Sequence, residues 1–392
     1  MNSQLKNKAI TVAHFRRAWF LKTETFLYNY ITNLKKTFPI LIGYSHENKD
    51  NFPVSCPIIT LYEKATFSAF MRRLRIKLLG ELYDKHFDCA KTYREIKKAK
   101  VNVLHAHFGY TGYYVLPIKK HFQLPLVTTF YGEDVSRLAN EPFWKTRYKE
   151  LFKNGDLFLV EGPFMKNRLV EIGCPVEKIA IQRIAIKCDK YPFRQRSPKK
   201  INEPVLILFC ASFREKKGLK YALEAVRKAH DESQNIVFRI IGDGYLRPEI
   251  EKIITEQRMS DYTKLLGFLS HDRAIHEMND CDIFIHPSVT GAEGDSEGGA
   301  PTTILEAQAC GMPVLSTYHA DIPNIVKEGE SALLSPERDV ESLYVNLMKL
   351  IKEPNSWAGM GIAGRKFIEK YHDISKEVDH LEQHYCRLAR NV

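Results

Sequence analysis

The sequence predicts an α/β protein of two doubly wound domains, and three observations carry that prediction. At 392 residues the chain exceeds what one hydrophobic core usually organises, and its 44% apolar content is enough to fill two. Short apolar runs bounded by turn residues alternate with longer amphipathic stretches throughout, which is the pattern of a parallel sheet wrapped by helices. A polar, proline-bounded segment, PFRQRSPKKINEP at 192–204, separates two such sets and reads as a linker. The expected domains are therefore 1–195 and 196–372, followed by a final helix in 373–392.

In the first set the candidate strands are Ala9 to Ala13, Ile40 to Gly43, Val103 to His105, Leu126 to Thr129 and Leu157 to Glu161. In the second they are Val205 to Ala211, Val237 to Ile241, Ile283 to His286 and Pro313 to Ser316. Charge is segregated between the halves. Residues 1–200 hold 36 Lys and Arg against 17 Asp and Glu, while the remainder is net acidic, within an overall +11. Such asymmetry points to an anionic partner for the first half. Its densest block, Arg72, Arg73, Arg75 and Lys77, lies where Phe67, Phe70, Met71, Leu74 and Leu78 recur at helical spacing. That basic amphipathic helix either packs on the core or seats on an anionic membrane surface. The eight cysteines form no CxxC pair and read as reduced core residues, and no apolar run approaches the roughly 20 residues that span a bilayer. A cytoplasmic protein, peripheral to a membrane at most, is expected.

The most informative stretch is EGGAPTTILEAQACGMPVLST at 297–317. Pro301 suits the first turn of a helix and Gly311 the position past its end, so a short helix is expected from Pro301 to Cys310. The free N–H groups of such a start attract anions, and Gly298 and Gly299 let a ligand approach the backbone. Glu306, one turn inside, suits the paired hydroxyls of a ribose. Upstream, Ser212-Phe213-Arg214-Glu215-Lys216-Lys217-Gly218 forms a cationic turn after a strand, and Ile241-Gly242-Asp243-Gly244 ends another. Arg247 stands where a dinucleotide fingerprint needs its third glycine, which argues against NAD.

Taken in order, these segments resemble those of the retaining glycosyltransferases of family 4, whose GT-B architecture sets two Rossmann-like domains facing across a cleft. The resemblance implies that Lys217 binds the donor diphosphate. Ser212 stands at the family arginine, with Arg214 two residues on as its replacement. Fixed cations there stabilise charge gathering on a leaving diphosphate. The first acid of the motif falls on Glu297, with Asp295 and Glu293 as alternatives because the loop carries one extra residue. Gly242, Gly244, Phe268, Gly298, Gly299, Ala300, Pro301, Thr302 and Glu306 are expected to line the donor. The family's terminal helix crosses back to the first domain.

In the first half, Thr23-Glu24-Thr25-Phe26 resembles the S-E-T-F segment of exopolysaccharide and lipopolysaccharide members, and equally suits a helix cap. His105-Ala106-His107-Phe108-Gly109 resembles the family H-x-H-F pattern. Two imidazoles at i and i+2 share a face and suit a metal, but no third ligand is evident in the sequence, so a polar contact to substrate through His107 is expected. Thr129-Phe130-Tyr131-Gly132-Glu133-Asp134 matches the family T-x-H-G-x-D turn except that Tyr131 replaces the histidine. A phenol titrating near pH 10 would position a sugar rather than exchange protons. Asp134 matches the family Asp and also suits a helix cap. Glu24, Tyr131 and Asp134 are thus the expected sugar or acceptor contacts.

The implied activity is transfer of a sugar from a nucleoside diphosphate, uridine favoured over guanosine, to a carbohydrate or lipid-linked acceptor in cell-surface polysaccharide synthesis. Neither metal nor cofactor is expected, and no nucleic acid. A nucleotide-sugar-binding protein without turnover and a nucleotide-sugar epimerase are the alternatives.

Overall fold

The computed structural model describes residues 10–21, 25–61, 87–200, 202–233 and 235–390. Glu24 and the basic stretch around Arg72 lie outside them. The chain divides into two compact units. One comprises residues 1–161, 166–182 and 374–392, the other 162–165 and 183–373.

The first unit holds β1 (Ile10–Phe15), β2 (Ala18–Trp19), β3 (Thr37–Gly43), β4 (Ser45–His46), β5 (Ile58–Thr60), β6 (Val103–His107), β7 (Leu126–Thr129), β8 (Leu157–Val160) and β9 (Ile179–Ile181). Seven of them form one sheet in the order β5-β3-β1-β6-β7-β8-β9, with β2 and β4 as a separate pair. Every ladder in the large sheet is parallel. After β1 the chain moves outward through β3 and β5, then returns to lay β6 on the other side of β1. That reversal is a topological switch point, where ligands of open parallel sheets bind beyond the strand C-termini.

The second unit repeats the plan with β10 (Val205–Cys210), β11 (Ile236–Ile241), β12 (Thr263–Gly267), β13 (Ile283–His286), β14 (Val314–Thr317) and β15 (Ala332–Ser335). Their order is β12-β11-β10-β13-β14-β15, also parallel, with the switch between β10 and β13. Its core is Ile207, Phe209, Phe238, Ile240, Ile283 and Ile285 from the strands against Leu219, Leu223 and Val226 from the helix Leu219–Glu232.

The strands legible in the sequence are the interior ones, and β5, β9, β12 and β15, the four sheet edges, escaped the apolar-run reading. A parallel strand covered on both faces reads as a continuous apolar run, whereas a short edge strand does not. The expected boundary at 195/196 also shifts, because the chain leaves the first unit after Gln182. The stretch read as a linker is fastened into the second unit instead. Arg196 is buried and donates to the carbonyls of Met278, Cys281 and Cys310, while Lys199 pairs with Asp282 at 2.8 Å. Its charge made it look solvated, but a guanidinium can be buried when carbonyls satisfy its donors.

The last helix, Ile374–Ala389, belongs to the first unit. Its Glu382 Oε1 accepts the backbone N–H groups of Lys35, Lys36 and Thr37 at 2.6–3.0 Å and the Thr37 hydroxyl at 2.9 Å, gathering the turn that enters β3.

Candidate active site

The switch point of the second unit brings the cationic turn and the acidic loop together. Arg214 leads into a single 3-10 turn, Glu215–Lys217, which ends at Gly218 with φ +71°. A Cβ there would sit 1.7 Å from the Pro287 carbonyl oxygen, so only glycine lets this turn lie against the end of β13. The Val289 N–H donates to the Lys216 carbonyl at 2.9 Å, and Glu215 Oε2 accepts the Ala292 N–H at 2.8 Å. The two lysines then reach separate acids. Lys216 Nζ lies 3.0 Å from Asp295 Oδ1 and 2.9 Å from the Ser296 carbonyl, and Lys217 Nζ lies 2.7 Å from Glu297 Oε2.

This geometry separates the three candidate acids. Glu293 is exposed in a left-handed turn with φ 59°, Asp295 serves Lys216, and Glu297 faces Lys217. Ser288 Oγ donates to Glu297 Oε1 at 3.0 Å. Burial alone would raise the Glu297 carboxyl, but the Lys217 ammonium, with His286 and Lys216 nearby, outweighs it and holds the group well below the usual carboxylate range. Glu297 also fixes a histidine that sequence reasoning missed. Its N–H donates to His319 Nε2 at 3.1 Å, so the ring proton sits on Nδ1 and is shared with Glu337 Oε1 at 2.6 Å. Arg214, proposed to replace the family arginine, is exposed and pairs with no acid among the described residues.

The helix beyond the loop spans Thr302–Ala309, with Pro301 as its N-cap rather than in its first turn and Gly311 at φ +80° past its end. Gly298 donates its N–H to Ser296 Oγ at 3.2 Å, the Gly299 carbonyl accepts from the Asp321 N–H at 3.1 Å, and Ala300 leads into the cap. Glu306 is buried, and its Oε1 accepts from Tyr191 at 2.9 Å, with His271 Nε2 at 3.3 Å. The hydrogen bond to Glu306 raises the His271 pKa above its ordinary value, against desolvation. Neither partner was legible, because Tyr191 and His271 are far from Glu306 in sequence.

Gly242, with φ +138°, has its Cβ position 1.8 Å from the Ala211 carbonyl oxygen, and that of Gly244 is 2.7 Å from the Phe213 carbonyl oxygen. Both glycines therefore let the end of β11 close onto the loop that carries the cationic turn. Phe268 is 54% exposed just beyond β12.

The switch point of the first unit is stocked differently. His14 is the penultimate residue of β1, and His105 and His107 alternate along β6 to its end, all three buried. The third imidazole that the sequence left unseen is thus His14, brought in by the β1–β6 ladder. His107 was expected to touch substrate, but both its ring nitrogens are engaged, Nδ1 with the Tyr131 hydroxyl at 2.7 Å and Nε2 with His14 Nδ1 at 3.1 Å. His105 meets Tyr385 at 2.6 Å and Thr129 at 2.7 Å. Burial lowers the pKa of all three, that of His14 to about 3, so they are neutral at pH 7.

Asp134 is buried and does not cap the helix that follows it. Its Oδ2 accepts the Gly109 N–H at 2.8 Å, and its Oδ1 accepts those of Gly132 at 2.9 Å and Tyr131 at 3.1 Å, which pins the Tyr131 turn to the helix Gly109–Phe122. Ser136 takes the N-cap position of the next helix, with its hydroxyl donating back to the Gly132 carbonyl at 3.0 Å. Phe26 packs on Tyr131 with ring centroids 4.9 Å apart, and Phe108 does so at 4.8 Å. Phe108 itself holds φ 75°, a conformation that costs a bulky residue about 1–3 kcal/mol, with the Arg16 guanidinium 3.8 Å over its ring.

Two parallel-sheet units, each gathering its polar side chains at a switch point, define the GT-B class of sugar-transferring enzymes. Family models agree along most of the chain. Residues 64–189 match the Glycosyltransferase Family 4 model and residues 192–367 match Glycosyl transferases group 1. The amylovoran biosynthesis glycosyltransferase AmsK of Erwinia amylovora is 32% identical over 275 residues, 70% of this chain and 67% of that protein. The putative colanic acid biosynthesis glycosyltransferase WcaL of Salmonella typhimurium is 34% identical over 248 residues, 63% of this chain and 60% of that protein. The crystal structure of Anabaena HepE in complex with UDP superposes with a TM-score of 0.75 over 96% of this chain and all of that one, at 14% identity, which establishes the shared fold. The chain belongs to glycosyltransferase family 4 and is a glycosyltransferase.

Proposed function

We propose that the protein transfers a sugar from a nucleoside diphosphate to a carbohydrate or lipid-linked acceptor with retention of anomeric configuration, in assembly of a cell-surface polysaccharide. The observation that carries this reading is the Lys217–Glu297 pair at the second unit's switch point, directly ahead of the helix Thr302–Ala309. The Glu297 carboxylate holds the ammonium in place. With donor bound, Lys217 faces the pyrophosphate, whose oxygens also meet the free N–H groups of the helix start, and charge gathering on the leaving diphosphate is stabilised there. Glu306, held by Tyr191 and His271, receives the ribose hydroxyls.

The proposed donor base is uracil, supported by UDP in the HepE complex, and the polysaccharide role is supported by the amylovoran and colanic acid relatives. No metal enters the proposed chemistry, since Asp295 and Glu297 each serve a lysine of their own instead of converging on one point. The proposed location is the cytoplasmic face of a membrane, reached through the basic first half. No helix among the described residues is long and apolar enough to cross one.

A panel of UDP- and GDP-sugars, screened by thermal stabilisation and then by release of the nucleoside diphosphate with and without saccharide acceptors, tests the reading. Acceptor-dependent release that survives EDTA and yields an axial or equatorial linkage matching the donor supports it. Tight binding without release would instead identify an inert binding protein, and isomerisation of the donor alone an epimerase.

A further inference from the structure

The loop that carries Glu297 has little regular structure of its own. Between β13 and the helix Thr302–Ala309 it forms one 3-10 turn, Ala292–Gly294, with Glu293 left-handed, so its course is set by what holds it from outside. Two residues of the same unit supply much of that hold. His319 and Glu337 each lie two residues past the end of a strand, β14 and β15, whose ladder pairs Thr317 with Ser335. The parallel register brings their side chains together although they stand 18 positions apart in the chain.

Glu337 takes the start of the loop. Its Oε2 accepts the Thr290 N–H at 2.7 Å and its Oε1 the Thr290 hydroxyl at 3.3 Å. His319 takes the end, for it is buried, accepts the Glu297 N–H on Nε2 at 3.1 Å, and is tied through Nδ1 to Glu337 Oε1 at 2.6 Å. Between these two holds the Gly291 N–H closes onto the Asp295 carbonyl at 2.7 Å. The residues directly after the pair, Ala320 at φ 47° and Arg338 at φ 64°, both sit in the left-handed region, which residues with a side chain keep only where their surroundings over-determine it. Strain of that kind gathers at functional sites.

We propose that His319 and Glu337 are positioning residues that set Glu297 against Lys217, and so hold the ammonium where the leaving diphosphate gathers charge. This role deepens the reading in which Lys217 serves the donor pyrophosphate, and rests on it.

Only one tautomer of His319 does this. The Glu297 amide can only donate, so Nε2 carries a lone pair and the single ring proton goes to Nδ1, where Glu337 accepts it. Burial would raise the Glu337 carboxyl, but the His319 ring and the Thr290 N–H outweigh it and hold the group below its ordinary value, which keeps it an acceptor. Glu297 is thereby fixed at three points, its N–H by His319, its Oε1 by Ser288 and its Oε2 by Lys217. A misplacement of about 1 Å at a reacting centre can cost about 10²-fold in rate, so a loosened loop is felt in the chemical step.

Long-range proton–nitrogen correlation spectra of the full-length protein labelled at histidine nitrogen, assigned with His319→Gln, read the pair without any substrate. His319 is expected neutral and protonated at Nδ1, and the Glu297 amide hydrogen is expected to exchange about tenfold more slowly than in His319→Ala. A ring protonated at Nε2, or equal exchange in the two proteins, overturns the proposal. In turnover of whichever nucleotide sugar the native protein consumes, His319→Ala is expected to lower kcat about 10–30-fold while donor KM stays within about threefold. His319→Gln, whose amide oxygen reaches the Nε2 position, should recover kcat to within about threefold, whereas His319→Asn, which reaches only the Nδ1 position, should not. This pair carries the test should the alanine variant fail to fold. Glu337→Ala should cost about as much as His319→Ala and the two together no more than either, and in a Lys217→Ala background His319→Ala should cost less than about twofold. Equal recovery by Gln and Asn, or effects that multiply in either cycle, would overturn the positioning role. A native protein that consumes no nucleotide sugar breaks the transfer reading, while the spectra and the amide exchange still decide whether the pair holds Glu297.

Discussion

The two units share a topology and differ in what each places at its switch point. Between β10 and β13 the loops carry full charges, two lysines each paired with its own carboxylate. Between β1 and β6 the strand ends carry neutral imidazoles and phenols linked by hydrogen bonds. One topology thus carries two kinds of polar cluster, differing in the residues placed at and beyond the C-terminal ends of the strands beside its switch point. The contrast extends to acid behaviour. Buried neutral imidazoles make the first unit vulnerable to protonation as pH falls.

The sharpest way to break this contrast is Lys217→Ala. Turnover is expected to fall by about 10²–10³-fold with an unchanged circular dichroism spectrum, because the lost cation acts on developing charge from a partly exposed turn. Turnover within about threefold of the native protein would remove Lys217 from the chemistry.

The imidazole side is tested by acid. A histidine whose folded pKa lies below its unfolded value near 6.5 leaves the unfolded chain binding more protons between the two, so its stabilising contribution is complete above pH 6.5 and shrinks as pH falls. With His14 at about 3 and His105 and His107 also lowered, each imidazole is expected to cost about 1.4 kcal/mol per pH unit below 6.5. Urea unfolding followed at pH 7.5, 6.5 and 5.5 should show the first unit, with three such imidazoles gathered together against the lowered His286 and His372 of the second, losing stability more steeply. Equal slopes would contradict the neutral, buried cluster.

Glu306→Ala should weaken UDP binding by about tenfold in calorimetry, the loss of hydrogen bonds from a charged acceptor, with a smaller effect on the catalytic step. Unchanged affinity would place the ribose elsewhere. The smallest expected effect concerns the basic stretch outside the described residues. Neutralising Arg72, Arg73 and Arg75 together should reduce sedimentation with anionic liposomes by a few-fold at low salt, and the native protein should lose the same binding at high salt. Native protein that fails to sediment at either salt concentration would end the membrane proposal.

Much of the donor loop was legible because its elements are short and sequential. Gly218, Glu297, Pro301, Glu306 and Gly311 lie in segments whose order and spacing carry meaning before folding, and each has an identifiable backbone or charge role in the structure. The interior strands were legible for a related reason, since burial on both faces writes a continuous apolar run. Expectations failed where a residue's partner lies far away in sequence. Arg196 read as part of a solvated linker because nothing nearby reveals the carbonyls of Met278 and Cys281. Asp134 read as a cap or a sugar contact because Gly109, whose N–H it accepts, belongs to another βα connection.

By itself the sequence determined two parallel-sheet domains, a cationic turn followed by an acidic helix start, and the family to which those motifs belong. All of these rest on local periodicity, turn chemistry and charge, which the chain carries before any long-range contact forms. Tertiary structure decided which acid meets which lysine, that His14 joins His105 and His107, and that His107 stands behind Tyr131. Parallel strands that pair across a switch point are separated by whole βα units, so the side chains meeting at their ends share no sequence neighbourhood until the sheet assembles.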